Sequence, residues 1–384
     1  MVGTQKIPVN QLREGDFAAA CKEDPDTLVY FLLNVGDGDT QLLLLPAGGD
    51  GARRAIVVDV ATTKKLPALV KALADAEVLT RPRGGRPLFP LVVATHPHED
   101  HVGGMPGFLD AYGDYIQELW EPGYYHPSAR YVEMMRALED LEIGHLQPTS
   151  GTTRFLGKVK VTVMGPGIGL RNRFDSYGVE VNDASISLKV EFPAARIAQE
   201  GENRRYLRLR DPWSIILGGD AQTTSWAQAT VDFPQLRRRD APVYRELRTA
   251  LGTDLLRAHV FKVPHHASKH GLNIELVERI DPWLSLISCT GGEGRYGFPH
   301  LLALEAIREA REPTSSKGGS RPPDHALGIQ STGDIDGGNR PLGSIALVIS
   351  PKKRLERKGL HVWRFGDGNR EEIQLDQARE FIPE

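Results

Sequence analysis

The chain has 384 residues, 40% hydrophobic and 25% charged, which is ordinary for a globular protein and allows one large domain or two to three smaller ones. A formal net charge of -3 excludes a globally basic nucleic-acid coat but leaves room for a local basic groove. Cys21 and Cys289 cannot staple a chain this long and read as free thiols in a reducing compartment. The opening "MVGTQKIPVNQLREGDF" has no signal-peptide core, and the apolar runs are too short to span a bilayer, so a cytoplasmic protein with no membrane segment is expected.

In chain order, "TLVYFLLNV", "TQLLLLP" and "AIVVDV" read as strands separated by Gly/Asp turns, in antiparallel hairpins. "TKKLPALVKALADAE" follows with helical periodicity, Leu66, Leu69, Val70 and Leu73 on one face. "PLFPLVVAT" is a buried strand, and a helix is expected after Gly104. Residues 111–181 read as an inserted, loop-rich region holding the helix "SARYVEMMRALEDLE" and the strand "KVKVTVMGP". Strand signals return at 184–192 and 213–220, helices at 222–230 and 242–253, and a strand at 258–266. The helix "NIELVERI", the strand "WLSLISC" and the helix "HLLALEAIREAREP" come next. "GSIALVIS" and "GLHVWRF" are the last strands, and the tail "NREEIQLDQAREFIPE" is either a short helix or disordered. With 40 glycines and 26 prolines, turns rather than a helical bundle are expected. Two batches of strands, each with helices, imply an α/β (α+β) fold: an αββα sandwich of two mixed sheets flanked by helices. The expected organisation is a single domain over 1–384, its core at about 28–350.

Directly after the buried strand comes "ATHPHEDHVGG", residues 94 to 104. Three histidines and two acids in six positions carry a desolvation and repulsion cost that a solvated loop has no reason to bear. His96 and His98 are two apart in extended backbone, favoured by Pro97, and point the same way, so both imidazoles can grip one ion. Asp100 and His101 come after the chain turns and can hold a second. Imidazole with carboxylate suits zinc, with manganese or iron as alternatives.

"HPHEDH" matches the H-x-H-x-D-H signature of the metallo-β-lactamase superfamily, and further motifs run in order along residues 28 to 350. "LNVGDGDT" (33–40) resembles the opening of the branch containing the hydrolase domain of ComEC-type DNA-uptake proteins. "VVDV" places Asp59 where the superfamily has a buried supporting aspartate. "NDASISL" resembles the branch's N-x-x-S-x-x-L and puts Asn182 where other branches carry a third histidine. "LGGD" supplies Asp220 as the bridging carboxylate, and "FKVPHHAS" resembles K-V-x-H-H-G-S with Ala267 in place of glycine.

The resemblance implies a metal set of His96, His98, Asp100, His101, Asp220 and His265. One of His265 and His266 should ligate and the other face substrate; sequence does not order them, and His266 is carried as a catalytic candidate with Asp100 and His270. Asn182, Ser268, Lys269 and His300 are candidates for holding substrate, Lys269 and His270 as charge or proton donors to a phosphate, or else as parts of a solvated loop. The branch's G-H-P-H is here "YGFPH", so Phe298 removes a histidine, with His300 or His270 as its replacement.

Two ions about 3.5–4 Å apart can share a hydroxide and clamp attacking and leaving oxygens, and a bound water with a pKa near roughly 7 is available at neutral pH. The resemblance points to a phosphodiesterase or nuclease acting on nucleic acid or a nucleotide. A small-molecule ester or lactone hydrolase, and a catalytically weak interaction module of the same fold, are the alternatives. The basic runs 81–86, 203–210, 236–240 and 351–358 would either track a nucleic-acid backbone or be solvated faces. Oligomeric state is not readable.

Overall fold

A computed structural model describes residues 4–81, 86–171, 180–194, 196–200, 203–207, 212–233, 255–312, 321–351 and 359–383. Two large mixed sheets face one another. The first has ten strands. Its centre is the antiparallel set Leu28–Leu32, Thr40–Leu44 and Ala55–Val60, continued in parallel by Leu91–Val93, Glu118–Trp120 and Gly144–Leu146. On the other side of Leu28–Leu32 come Ile345–Ile349, Leu360–Arg364, Arg379–Phe381 and Leu12–Glu14, all antiparallel. The second has seven strands in the order Ile329–Ser331, Leu284–Ile287, Val260–Lys262, Trp213–Leu217, Ser187–Phe192, Val159–Gly165 and Thr153–Leu156.

The strands read as unbroken apolar runs because they are buried on both faces, as expected for sheets covered by helices. Leu28, Tyr30, Leu32, Leu43, Ile56 and Val58 point inward to meet Val161, Leu188, Ile215, Leu217, Val260 and Leu286 of the second sheet. Their neighbours Val29, Phe31, Leu42, Leu44 and Val57 point the other way. There they pack under the helices Phe17–Glu23, Lys65–Asp75, Met105–Tyr112 and Ala129–Glu139. The helix Lys65–Asp75 buries the face formed by Leu66, Leu69, Val70 and Leu73, as its spacing predicts. On the far side, Ile216, Phe261 and Ile287 pack under Thr223–Asp232, Ile274–Ile280 and Leu301–Arg311. The layer order is helix, sheet, sheet, helix.

Three expectations change. The described part of residues 111–181 is built into both sheets: Glu118–Trp120 and Gly144–Leu146 extend the first, while Thr153–Leu156 and Val159–Gly165 belong to the second. Most of these strands are only three or four residues long, too short to show a period. The tail is neither a helix nor disordered over its length, since Arg379–Phe381 pairs with both Leu12–Glu14 and Leu360–Arg364. The strand expected at 258–266 stops at Lys262, before Val263, because Pro264 cannot donate to a ladder. The expected helix at 242–253 and the basic runs at 236–240 and 352–358 lie outside the described residues. So do residues 82–85 of the first run, and of 203–207 only the backbone hairpin with Arg196–Glu200 is described. Among the described residues no helix is long and apolar enough to cross a membrane.

Candidate metal centre

The carboxyl ends of parallel strands from both sheets meet at one edge of the sandwich, the position where open α/β sheets place their ligands. From the first sheet, the chain leaves Leu91–Val93 through Thr95 into His96 and His98, then enters the one-turn helix Glu99–Val102. From the second, Trp213–Leu217 ends two residues before Gly219 and Asp220, and Val260–Lys262 leads into His265 and His266.

Local backbone sets these side chains. Gly219 has φ 53°, and a Cβ there would lie 2.5 Å from Ser185 Oγ and 2.9 Å from the Ile186 carbonyl, so only glycine lets this turn pass. His265 N–H donates to the Gly219 carbonyl at 3.0 Å, fastening the two turns together. His265, His266 and Ala267 are all left-handed, with φ of 49°, 52° and 60°. For non-glycine residues this costs on the order of 1–2 kcal/mol each. The strain swings both imidazoles toward Asp220, and the third of these positions, Ala267, is where the resembling motif has glycine.

Asp220 is buried between two groups of donors. Its Oδ2 lies 3.7 Å from His96 Nε2 and 3.8 Å from His265 Nε2; its Oδ1 lies 3.1 Å from His101 Nε2 and 3.7 Å from His266 Nε2. His98 Nδ1 is 3.1 Å from His96 Nε2, on the Oδ2 side. Asp100 Oδ2 is 3.7 Å from His266 Nε2, on the Oδ1 side. Ligand atoms of Asp100, His101, Asp220 and His266 lie within 4.8 Å of one another.

Hydrogen bonds around the cluster fix which nitrogen of each ring faces inward. Asp59 accepts from Thr95 N–H at 2.7 Å, the Thr95 hydroxyl at 2.8 Å and His101 Nδ1–H at 2.8 Å. With its proton given to Asp59, the Thr95 oxygen is left to accept from His96 Nδ1–H at 3.1 Å. His266 Nδ1–H donates to the Ser288 carbonyl at 3.0 Å. With Nδ1 carrying a proton in all three rings, Nε2 is the lone-pair atom of each neutral ring and is turned to Asp220. Among the described residues, His101 Nε2, His266 Nε2 and Asp220 Oδ1 are buried without a hydrogen-bond partner. Orphaned buried lone pairs converging on a carboxylate fit divalent ions, which would satisfy them all.

Burial holds His96, His98 and His265 below the usual histidine range, in the neutral, ligand-competent form. Burial would also lower His101, but Asp220 and Asp59 overcome it and raise it. For Asp220, burial pushes the carboxyl up, and His101 and His266 outweigh it and hold it well below its ordinary value.

The sequence expectation that only one of His265 and His266 faces metal is corrected: both rings aim at Asp220, from opposite sides. His266 thus stands among the ligand-type side chains rather than apart from them as a catalytic group. Asn182 lies beside His265, its Nδ2 3.5 Å from Nε2. The other candidates stand away from the cluster. Lys269 and His270 are exposed and bond to none of it; the His270 carbonyl accepts from Thr223 N–H at 3.1 Å. Ser268 is buried with its N–H on the His265 carbonyl, holding the turn. His300 caps the helix Leu301–Arg311, Nδ1 accepting from Leu302 N–H at 3.2 Å, so it does not replace the histidine missing at Phe298. Phe298 instead packs against the rings of His265 and His266, at 5.8 and 5.7 Å.

Thr95, Asp39, Lys262 and His126 were missed. Asp39 and Lys262 sit inside quoted motifs, so their position was a usable signal. His126, whose ring lies 5.6 Å from that of His98, gave none beyond the aromatic loop "WEPGYYHP".

The sequence profile of the metallo-β-lactamase superfamily matches residues 50–197, from the strand carrying Asp59 through His96, His98, Asp100 and His101 to Asn182; Asp220, His265 and His266 lie beyond it. The two mixed sheets flanked by helices are consistent with the metallo-β-lactamase fold. Solved structures similar to the chain include CmlA, a diiron β-hydroxylase from Streptomyces venezuelae (12% identity, TM-score 0.38, 77% of this chain and 52% of that one). The metallo hydrolase Igni18 from Ignicoccus hospitalis is another (12% identity, TM-score 0.33, 68% and 82%). A third is YhfI from Bacillus subtilis, titled a metallo-β-lactamase fold protein (10% identity, TM-score 0.34, 68% and 86%). The chain spans about half the length of CmlA, which it covers to 52%. No curated protein shows significant similarity to the chain. Within this sandwich the cluster around Asp220 is the candidate metal site.

Proposed function

We propose that the protein is a metal-dependent hydrolase of phosphodiester bonds, acting on nucleic acid or a nucleotide, with zinc as the first choice of metal and manganese or iron as alternatives. The observation that carries this reading is Asp220, whose two oxygens each face a separate set of ligand-type side chains. One set is His96, His98 and His265; the other is Asp100, His101 and His266. Bound there, two ions would supply Lewis acidity and an activated water.

The chain's own residues do the rest. Asp220 spans the two halves, and Asp59, Thr95 and the Ser288 carbonyl hold the rings in the inward tautomer. Asp100, which burial would raise but which His266 and His101 hold below the ordinary carboxylate range, stays ionised and able to accept a proton from the attacking water. The phosphodiester as substrate is supported by the GDGD, NDAS and PHHAS motifs together, which point to one branch.

The test is metal analysis of the purified protein, with turnover measured on bis-p-nitrophenyl phosphate, single- and double-stranded DNA, RNA and a lactone. Metal-dependent cleavage of the phosphodiesters is expected. Turnover of the lactone alone would hand the site to small-molecule ester hydrolysis, and no turnover in a metal-replete protein would leave an interaction module.

A further inference from the structure

The segment Thr290–Pro299 carries a feature the hydrolytic cluster does not use. Phe298 stands on the rings of His265 and His266. Tyr296 stacks on Phe298 with ring centroids 5.7 Å apart and planes 27° apart. The Arg295 guanidinium lies over Tyr296, 5.4 Å from its centroid. Tyr296 is 61% exposed, so the stack runs from the metal cluster outward into water. A second aromatic, Tyr125, 75% exposed, adjoins His126 on the His98 side.

This stack is built in advance. Thr290 N–H and its hydroxyl both donate to Asp37 Oδ1, at 2.9 and 3.0 Å. Gly292 N–H donates to the Phe298 carbonyl at 2.7 Å, closing the loop, and His300 N–H donates to the Ala267 carbonyl at 2.9 Å, tying its end to the histidine turn. A large aromatic ring held in the open has lost conformational freedom without the return of burial; a planar ligand would restore that return.

We propose that Arg295, Tyr296 and Phe298 form a stacking platform for a nucleobase next to the scissile phosphodiester, which rests on the hydrolase reading above. Every base has a π-face, so such a platform holds single-stranded nucleic acid or a nucleotide with little sequence preference. The flat guanidinium adds a second stacking face and a positive charge for the adjoining phosphate. Phe298, which stands where the resembling motif has a histidine, gives up a nitrogen and supplies the inner wall.

The test is fluorescence anisotropy with a short labelled single-stranded oligonucleotide and its abasic counterpart, on the metal-loaded protein, its Tyr296→Ala, Tyr296→Phe and Arg295→Ala variants, with metal content and melting temperature as controls. A mononucleotide competitor separates the free nucleotide from the strand. The native protein should prefer the base-bearing strand by about tenfold or more, in line with base–aromatic stacking. Tyr296→Ala should remove most of that preference, Tyr296→Phe should keep it, and Arg295→Ala should weaken both strands. Equal affinity of the native protein for both strands, or a Tyr296→Ala preference equal to native, overturns the platform. If the strand is still cleaved in that case, the hydrolase reading survives; if no phosphodiester is bound or cleaved at all, both fall together.

Discussion

Lys262 donates to Asp39 in an ion pair from which water is fully excluded, and Asp39 Oδ1 lies 3.9 Å from His266 Nδ1. Asp39 belongs to "GDGDT" in the first sheet and Lys262 to "FKVPHH" in the second, so the two motifs meet face to face under the cluster. Asp39 N–H also donates to the Asp100 carbonyl at 3.0 Å, which fixes the turn that carries Asp100 and His101.

Removing one partner of such a pair leaves a buried charge with no compensation, at a cost of about 3–5 kcal/mol. Lys262→Met should therefore lower urea-unfolding stability by about that much, and Lys262→Met with Asp39→Leu should recover most of it. The double variant should still lose metal affinity, because the support beneath His266 is gone. Equal stability of the native protein and the single variant would mean the pair does not hold the sheets together.

Asp59→Asn keeps size and tolerates the left-handed backbone at this position, φ 58°. It removes the carboxylate that takes His101 Nδ1–H and lets the amide donate to that ring instead, favouring the wrong tautomer. Metal affinity should fall about 10–100-fold, the usual effect of losing the group that orients a ligating histidine. Competition against a chromogenic chelator measures it; unchanged affinity would show that His101 does not ligate.

Stability should also depend on pH through a buried pair away from the candidate metal site. Asp334 and Arg364 are buried together where the sheets' edges meet, with Asp334 accepting from Ser331 N–H at 2.7 Å and Gln5 Nε2 at 3.0 Å. Arg364 spreads its donors over the Ser331 and Gly343 carbonyls and Gln330. Burial outweighs the arginine and raises the Asp334 carboxyl to about 6 from 3.8. The folded state then holds a proton that the unfolded chain has released, so this group's contribution is fully present below pH 3.8 and is lost as pH rises to about 6. At about 1.4 kcal/mol per unit, the loss is roughly 3 kcal/mol. Denaturant unfolding of native protein and Asp334→Asn between these limits should show the native curve falling relative to the variant. Parallel curves would rule the linkage out.

Much of the architecture was legible because its strands are buried on both faces and show as apolar runs such as "TLVYFLLNV", which need no partner to be noticed. Strands of three residues such as Glu118–Trp120 carry no such signature; only their neighbours in the sheet make them strands. The site divides in the same way. His96, His98, Asp100 and His101 are legible because their chemistry is local. The pairing of Lys262 with Asp39 joins residues 223 positions apart, and the Ser288 carbonyl that orients His266 has no side-chain signature at all. His300 misled because a histidine two residues after Phe298 looks like a displaced ligand, whereas the start of a helix at Leu301 gives its Nδ1 a backbone N–H to accept.

His265 and His266 separate the two halves of the cluster and so supply the sharpest test of it. His265 Nε2 faces the Asp220 oxygen shared with His96; His266 Nε2 faces the oxygen shared with His101 and lies against Asp100. If each half holds one ion, each single replacement should empty one half and spare the other. His265→Ala should lose the ion gripped by His96 and His98 and keep that held by Asp100 and His101; His266→Ala should do the reverse. Metal analysis after desalting should give about half the native content in each variant. On the proposed reading, in which two ions clamp the attacking and leaving oxygens together, phosphodiester turnover should collapse in both. His265→Gln and His266→Gln control for the volume of the ring, which Phe298 packs against in each case. Full metal content after His265→Ala, with loss only after His266→Ala, would mean that one ion binds, on the Asp100 side, and that His265 serves substrate as the sequence alone allowed.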